Sequence, residues 1–538
     1  MICKFLGTIT DNNPTLSKLI VEHSPAGVFK TTVLGKLNTL FGRLGFDTNS
    51  IVSSLFTTDD KSAASSADDL EVLALMASFT YNILRNYYVP DTATSSSSSS
   101  PEAVELVEAF VPLFAKILSL SPANILKTVV EPGMLALDSM SSATSSSSSN
   151  GGSEKDIGSA SGMTSNDGED EMGAEGEAEV ETDEHFSEKL EILLKWKEIG
   201  AAQQVLLETL TNICFCEGEA EDDIDMNDDD MDDSDDAIGQ TSVTSDTSAA
   251  PTILAIEKSG ILDLVTQRAS DVTEFANDFI ERHAWTEGHV TILFTVQSRA
   301  LACLNNVIIS NGTIANTQAL WQFAEAITLS AVRSCEGARS SGSISTSTGS
   351  VGSSTSSVGD ESDLSRIEIE LLEEATSILD SAARRFFRPE DLPGLTWRPA
   401  LDTLLRVAQA GVSDSAALHA VGAIGFVGAL YTGSVLETET IINALLVIIM
   451  DEASNIELVC AAINAIIDLF AEKPSNPAMY VSHAKIVTAF TQILPSFKRR
   501  TALEKKKGDK SLFLRLDETR INMARLIKYK SAQNLTSF

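Results

Sequence analysis

The C-terminal third of the chain repeats itself. A shift of about 40 residues sets Leu405, Val407 and Leu418 opposite Leu445, Val447 and Leu458, and the run Gly425 to Ala429 opposite Ala465 to Leu469. Apolar residues recur at helical spacing within each period, and short polar breaks divide it, so the repeating unit is a pair of helices. The pattern predicts helices at about 398–411, 413–431, 436–450, 455–471, 479–494 and 514–530. Ala417, Ala420, Gly422, Gly425 and Gly428 in one of them, and Ala461, Ala462 and Ala465 in the next but one, let two backbones approach closely. Each glycine costs roughly 1 kcal/mol relative to alanine in a lone helix, so packing between repeats must hold these helices together.

Upstream the same periodicity predicts helices over Leu70–Leu84, Val104–Leu118, His185–Phe215 (two helices meeting near Gly200), Val290–Ile309 and Leu364–Phe387. No stretch sustains period-two alternation, which argues against a sheet. The expected fold class is all-α, an α-solenoid of armadillo/HEAT-type helical repeats with disordered acidic and Ser-rich insertions. Low-complexity composition sets the boundaries. Residues 1–140 read as a partial armadillo-like region, 141–184 as a Ser/Gly/acidic linker and 185–216 as a helical repeat. Beyond these come an acidic loop at 217–250, HEAT-like helices at 251–335, a Ser/Gly-rich insertion at 336–363 and HEAT-like repeats at 364–538.

Between Cys216 and Ala237 stand Glu217, Glu219, Glu221, Asp222, Asp223, Asp225, Asp228, Asp229, Asp230, Asp232, Asp233, Asp235 and Asp236, without one Lys or Arg. So many like charges cannot pack, and the segment is expected to be a solvated loop held between two helical blocks. Its simplest use is to bind something strongly basic. Ile224, Met226 and Met231 interrupt the carboxylates and offer apolar anchors, which a pure solubiliser would not require. The formal net charge of -37 repels phosphate backbones and attracts cationic proteins. The expected partner is therefore a basic protein and not a nucleic acid. The basic stretch Lys498 to Lys510 reads first as a charged helix end and turn, with a nuclear localisation signal or a cargo contact as the alternative.

The chain lacks the usual signatures of chemistry. It has no phosphate-binding glycine motif, no HExxH and no nucleophile elbow. Asp223, Asp225 and Asn227 imitate the first ligands of a calcium loop, but Asp228 stands where glycine is needed and Ser234 where a bidentate glutamate is needed. Cys214 and Cys216 lack the two-residue spacer of a zinc site. His283, Glu287 and His289 have no evident fourth ligand, and Trp285 beside them suggests packing. No enzyme activity and no cofactor are expected. Six cysteines in 538 residues fit a reducing compartment, and the longest apolar run, Val421–Tyr431, is too short to span a bilayer.

The order of these features resembles the symportin (synchronised import) family of HEAT-repeat import chaperones. The residues carrying the resemblance are Gln203–Cys216 leading into the acidic run, Gln297–Asn306, Val459–Phe470 with Ala471, Ile493–Lys498, and Leu516 and Asp517 through Asn522, Arg525 and Tyr529. The resemblance implies a chaperone or import adaptor for basic ribosomal proteins of the 5S particle, the universal large-subunit proteins five and eighteen. It places cargo on the carboxylates between Glu217 and Asp236, adds an import receptor as a further partner, and implies work in cytoplasm and nucleus. Because Met1 opens almost directly into apolar Ile2–Ile9, the N-terminal armadillo region is expected to be partial, without an evident transport signal. The alternative is a general transport adaptor or helical scaffold whose acidic loop serves solubility alone.

Overall fold

The computed structural model describes residues 35, 37, 39, 64–88, 101–137, 139, 178–215, 251–271, 273–283, 286–310, 312, 314, 317–340, 363–386, 397–430, 435–471 and 477–533. The acidic run, most of the Ser/Gly/acidic linker and of the Ser/Gly-rich insertion, and nearly all of the start of the chain, on which several expectations fell, lie outside these residues. Among those described, every regular element is a helix. The chain divides into two compact units, one of residues 1–87, 112–206 and 271–293, the other of 88–111, 207–270 and 294–538.

The helices are α1 (Ala64–Tyr88), α2 (Pro101–Leu118), α3 (Pro122–Ile125), α4 (Ala178–Phe215), α5 (Pro251–Lys258), α6 (Ile261–Ser270), α7 (Thr273–Arg282) and α8 (Glu287–Ile309). After them come α9 (Thr317–Ser340), α10 (Asp363–Phe386), α11 (Trp397–Ala410), α12 (Asp414–Leu430), α13 (Val435–Met450), α14 (Ile456–Ala471), α15 (Pro477–Lys507) and α16 (Lys510–Gln533).

In the first unit a few buried polar side chains tie helix ends together. The fully buried Trp196 donates its indole N–H to the Pro122 carbonyl at 2.9 Å, and Gln203 donates to the carbonyls of Ile117, at 2.8 Å, and Leu120. Ile117 and Leu120 lie at and just past the end of α2, so Gln203 of α4 bonds carbonyls at that helix end, while Trp196 ties α4 to the first residue of α3. The expected break at Gly200 does not occur, and α4 runs unbroken from Ala178 to Phe215. Gly200 is there for clearance: a Cβ on it would lie 2.5 Å from Ile292 Cγ1.

The second unit contains the repeats. Helices α10, α12, α14 and α16 form one layer and α9, α11, α13 and α15 the other, each helix packing on its sequence neighbour and on the next helix of its own layer. The first layer is parallel. Asp414 at the start of α12 meets Asn455 just before α14 at 3.0 Å, and further along the same two helices Gly425 meets Ala465 and Gly428 meets Leu469. The 40-residue shift aligns Gly425 with Ala465 and brings the other two pairs within one residue of register, so the sequence repeat is a contact between neighbouring parallel helices. Asn305 of α8 donates to Ser377 of α10 at 2.9 Å, and Asn306 and Ser310 of α8 donate to the carbonyls of Thr211 and Cys214 of α4, extending the layer to six helices.

Local signals fix the turns of the repeat. Gly411 (φ 61°) ends α11 and Gly508 (φ 94°) ends α15, both in the left-handed conformation that glycine adopts without strain. Ser413, Asn455 and Asp509 cap the helices that follow, accepting N–H bonds from Ala416, Glu457 and Leu512 at 3.2, 2.9 and 2.9 Å. The expected helices 398–411, 413–431, 436–450 and 455–471 accordingly fall within a residue or so of α11 to α14. The expected end of a helix at residue 494 was wrong. Helix α15 continues through Pro495 to Lys507 and takes in most of the basic stretch read as a helix end and turn. Pro495 is exposed while Ile493 and Phe497 are buried, so the ring sits on the solvent face and packing on either side holds the helix. Helix α8 is long and apolar enough to cross a bilayer, yet 72% of that stretch is buried inside the protein.

Candidate functional site

The thirteen carboxylates from Glu217 to Asp236 lie outside the described residues, but the structure fixes the two ends of their segment. Both ends are held at the C-terminal end of α8. The Cys214 carbonyl accepts a 2.6 Å hydrogen bond from Ser310, and a Cβ on Gly312 would lie 3.1 Å from Ile253 Cγ2 of α5. The acidic sequence thus leaves the C-terminus of one helix and returns within one end of the repeat stack. Carboxylates gain nothing from the negative end of a helix dipole, so this placement does not serve the stability of α4.

A second concentration of charge, which the sequence reading missed, runs along the parallel layer. Glu208 and Arg299 pair at 3.3 Å between α4 and α8. On α10, Asp380 holds Arg384 at 2.9 Å and His419 of α12 at 3.4 Å. Gly422 makes room for that cluster, since a Cβ there would lie 2.8 Å from Asp380 and 2.9 Å from Arg384. On the next helices Glu457 faces Arg515 at 3.6 Å, and Thr519 donates to Asn464 at 3.1 Å and touches the Cys460 thiol at 3.1 Å. Of these residues Arg384, Gly422, Glu457, Cys460, Asn464, Arg515 and Thr519 line a groove of about 530 Å³ across α10, α12, α14 and α16.

Burial acts on several side chains of this layer. Burial raises the pKa of Glu374, and Glu373 and Glu370 push in the same direction against Arg299 and His419. Burial also raises Asp468, with Arg384 opposing it. The Cys460 thiol is raised by burial too, so it behaves as a small apolar group and not as a nucleophile. Partly desolvated carboxylates that resist ionisation gain most when a cation arrives from outside, because its charge offsets what burial removed. Along the groove Glu457, Asp468 and Glu518 outnumber Arg384 and Arg515, so it favours Lys or Arg side chains over anions. Two features of the sequence could have pointed to it: the spacing of Gly422, Gly425 and Gly428, and Asp468 inside the mostly apolar α14.

Of the histidine set considered as metal ligands, the His283 ring packs on Phe279 at 4.9 Å, and His289 has its pKa lowered by burial and by Lys197. Trp285 lies outside the described residues. Among the described residues no three His, Cys, Asp or Glu side chains converge as a metal-binding group.

A family model described as "SYO1-like, TPR repeats" matches residues 250–534, more than half of the chain and the whole of α5 to α16. The chain belongs to the SYO1-like family. The match takes in the charged groove and begins after the acidic run. The family description speaks of TPR repeats where the sequence suggested armadillo or HEAT repeats; all three stack helix pairs into solenoids. No curated protein matches this SYO1-like chain. Among solved structures, the crystal structure of an engineered protein aligns over 98% of this chain and 94% of its own, at 13% identity and a TM-score of 0.32, too weak a likeness to bear on the fold.

Proposed function

We propose that this SYO1-like protein is a binding chaperone and import adaptor. On this reading it captures and shields the basic ribosomal proteins of the 5S particle, universal large-subunit proteins five and eighteen, for nuclear import and large-subunit assembly. The observation that carries the reading is the cation-free run of carboxylates closed at both ends on the helical stack. The groove on the parallel layer, where Glu457, Asp468 and Glu518 stand against Arg384 and Arg515, supports it. Cargo is drawn in by long-range attraction and its basic surface is covered; release follows when rRNA offers it more phosphate contacts. The protein does no covalent chemistry in this scheme, needs no cofactor, contacts neither nucleic acid nor membrane directly, and works in cytoplasm and nucleus with an import receptor as a further partner. Purifying the tagged full chain from cells and identifying the proteins that accompany it tests the reading. Basic ribosomal proteins of the 5S particle should be enriched over other ribosomal proteins, and their absence would leave a solubilised scaffold as the better description.

A further inference from the structure

Helix α4 has two apolar faces, and its place in the fold uses one of them. Leu193, Trp196, Ile199 and Leu206 are fully buried and hold it in the core. Phe186, Leu190 and Leu194 recur every four residues and so share a different face. There Phe186 is 47% and Leu194 44% exposed, with Leu190 half-buried between them. Apolar side chains scattered singly over a surface need no explanation, but a spaced row with an aromatic in it marks a contact surface. The sequence leading into this row is the second acidic stretch of the chain. Residues 167–184 hold ten Asp and Glu and no Lys or Arg, and Glu179 and Asp183 continue the three- and four-residue spacing of the row. Beyond Phe186 the charges balance: up to Gly200, Glu188, Glu191 and Glu198 stand against Lys189, Lys195 and Lys197, and Lys195 pairs with Glu191 at 2.8 Å. Acids in the first turn of a helix also favour its dipole, which accounts for neither the rest of the ten nor an exposed phenylalanine beside them.

We propose that this face of α4 docks a basic amphipathic helix of a partner protein. The partner's apolar side lies on Phe186, Leu190 and Leu194, and its Lys- or Arg-rich end lies against the acids that precede them. Ten uncompensated carboxylates decide the class of partner. They repel the phosphates of RNA and of an anionic membrane, and they repel a second copy of the chain, which brings the same acids. A cationic protein is attracted instead. Charge governs mainly how fast such partners meet, and the apolar row how slowly they part. Rows of side chains four residues apart are the ridges on which helices pack, and the long stems of Lys and Arg cover apolar surface while their charged ends reach carboxylates at its edge.

This site is distinct from the run at 217–236. The run follows the C-terminal end of α4, whereas the row lies near its N-terminal end, and the unbroken helix between Phe186 and Phe215 rises roughly 44 Å. Two basic segments can therefore be held at once, one at each end of the helix. The docking stands on charge, spacing and exposure, and does not depend on which protein the run captures.

Fluorescence anisotropy with a labelled synthetic peptide tests the proposal. The probe is made of leucine and lysine patterned as an amphipathic helix with a lysine-rich end; a control peptide of the same composition has its leucines scattered so that no apolar face forms. The protein is the full chain with Asp228, Asp229, Asp230, Asp232 and Asp233 replaced by Asn, which weakens the other acidic run, so that the outcome is independent of cargo capture there. The patterned peptide should bind at least about tenfold more tightly than the control. Adding Phe186→Ser and Leu194→Ser should abolish that preference and leave the melting temperature within about 2 °C, because neither side chain belongs to the core. Replacing Glu179, Glu181 and Glu184 by Gln and Asp183 by Asn should weaken the patterned peptide and reduce its dependence on salt. Equal affinity for the two peptides, or a preference that survives the loss of Phe186 and Leu194, would overturn the proposal. So would a photo-reactive amino acid in place of Phe186 that captures a second copy, or the chain's own residues, and not the peptide.

Discussion

The two layers of the repeat stack are made of the same kind of helix and pack in different ways. In the parallel layer α12 sits between α10 and α14 with glycines at its contacts: Gly422 faces Asp380 and Arg384, and Gly425 would place a Cβ 2.7 Å from that of Ala465 and 3.0 Å from its Cα. In the other layer α13 and α15 meet through long side chains and leave Val447, Met450 and Leu503 exposed. Small residues bring the backbones of one layer together and allow charged side chains to be half-buried along its groove. Large residues hold the other layer apart and leave apolar surface. The repeats therefore offer a groove that gathers charge on one layer and exposed apolar side chains on the other.

The sharpest break of this comparison is a single methyl group. Gly425→Ala gains about 1 kcal/mol of helix propensity but meets a side chain and a backbone that cannot move aside, so a net loss of about 1–2 kcal/mol is expected in urea unfolding. Gly422→Ala meets only the tips of Asp380 and Arg384, and its net effect should lie within about 0.5 kcal/mol of zero. Equal losses at the two positions would show that glycine is needed for something other than close approach.

A smaller effect is expected from two acids of the parallel layer. Glu374 and Asp468 have pKa values raised in the fold, so their contribution favours folding below the ordinary carboxylate value and is lost as pH rises through the raised one. Replacing Glu374 by Gln and Asp468 by Asn together should therefore raise the melting temperature at pH 7 by about 1–2 °C and flatten its fall between pH 5 and 7. A lower melting temperature at pH 7 would mean that these carboxylates are already compensated inside the fold. The smallest effect is expected in the outer layer, where Val447→Asn removes no buried contact and should change stability by less than about 0.5 kcal/mol. A loss of more than about 1 kcal/mol would mean that this surface is packed and not exposed.

How much the sequence revealed depended on whether the signal was local. The bounds of α11 to α14 were legible because Gly411, Ser413 and Asn455 act within a turn of the helix ends they fix. The repeat was legible because aligned residues such as Gly425 and Ala465 are in contact. Gly200 misled because a glycine that makes room for Ile292 looks, in sequence, like one that ends a helix. Pro495 and the lysines after it misled likewise, since the packing of Ile493 and Phe497 that carries α15 onward is a tertiary effect. The groove was invisible because Asp380, Arg384, His419 and Asp468 come from three helices and meet only once the layer is parallel. The acidic run was the reverse case, plain in sequence and outside the described residues.

The central claim is that the acidic run captures basic ribosomal proteins by charge. The most direct test titrates a purified basic protein of the 5S particle against the full chain and against the variant with Asp228, Asp229, Asp230, Asp232 and Asp233 replaced by Asn, each at two salt concentrations. Exposed, unpacked charges contribute little to folding, so the variant should melt within about 1 °C of the wild type while binding at least tenfold more weakly, and wild-type affinity should fall as salt rises. Equal affinities for the two forms with no dependence on salt would contradict the account and remove the run from cargo capture.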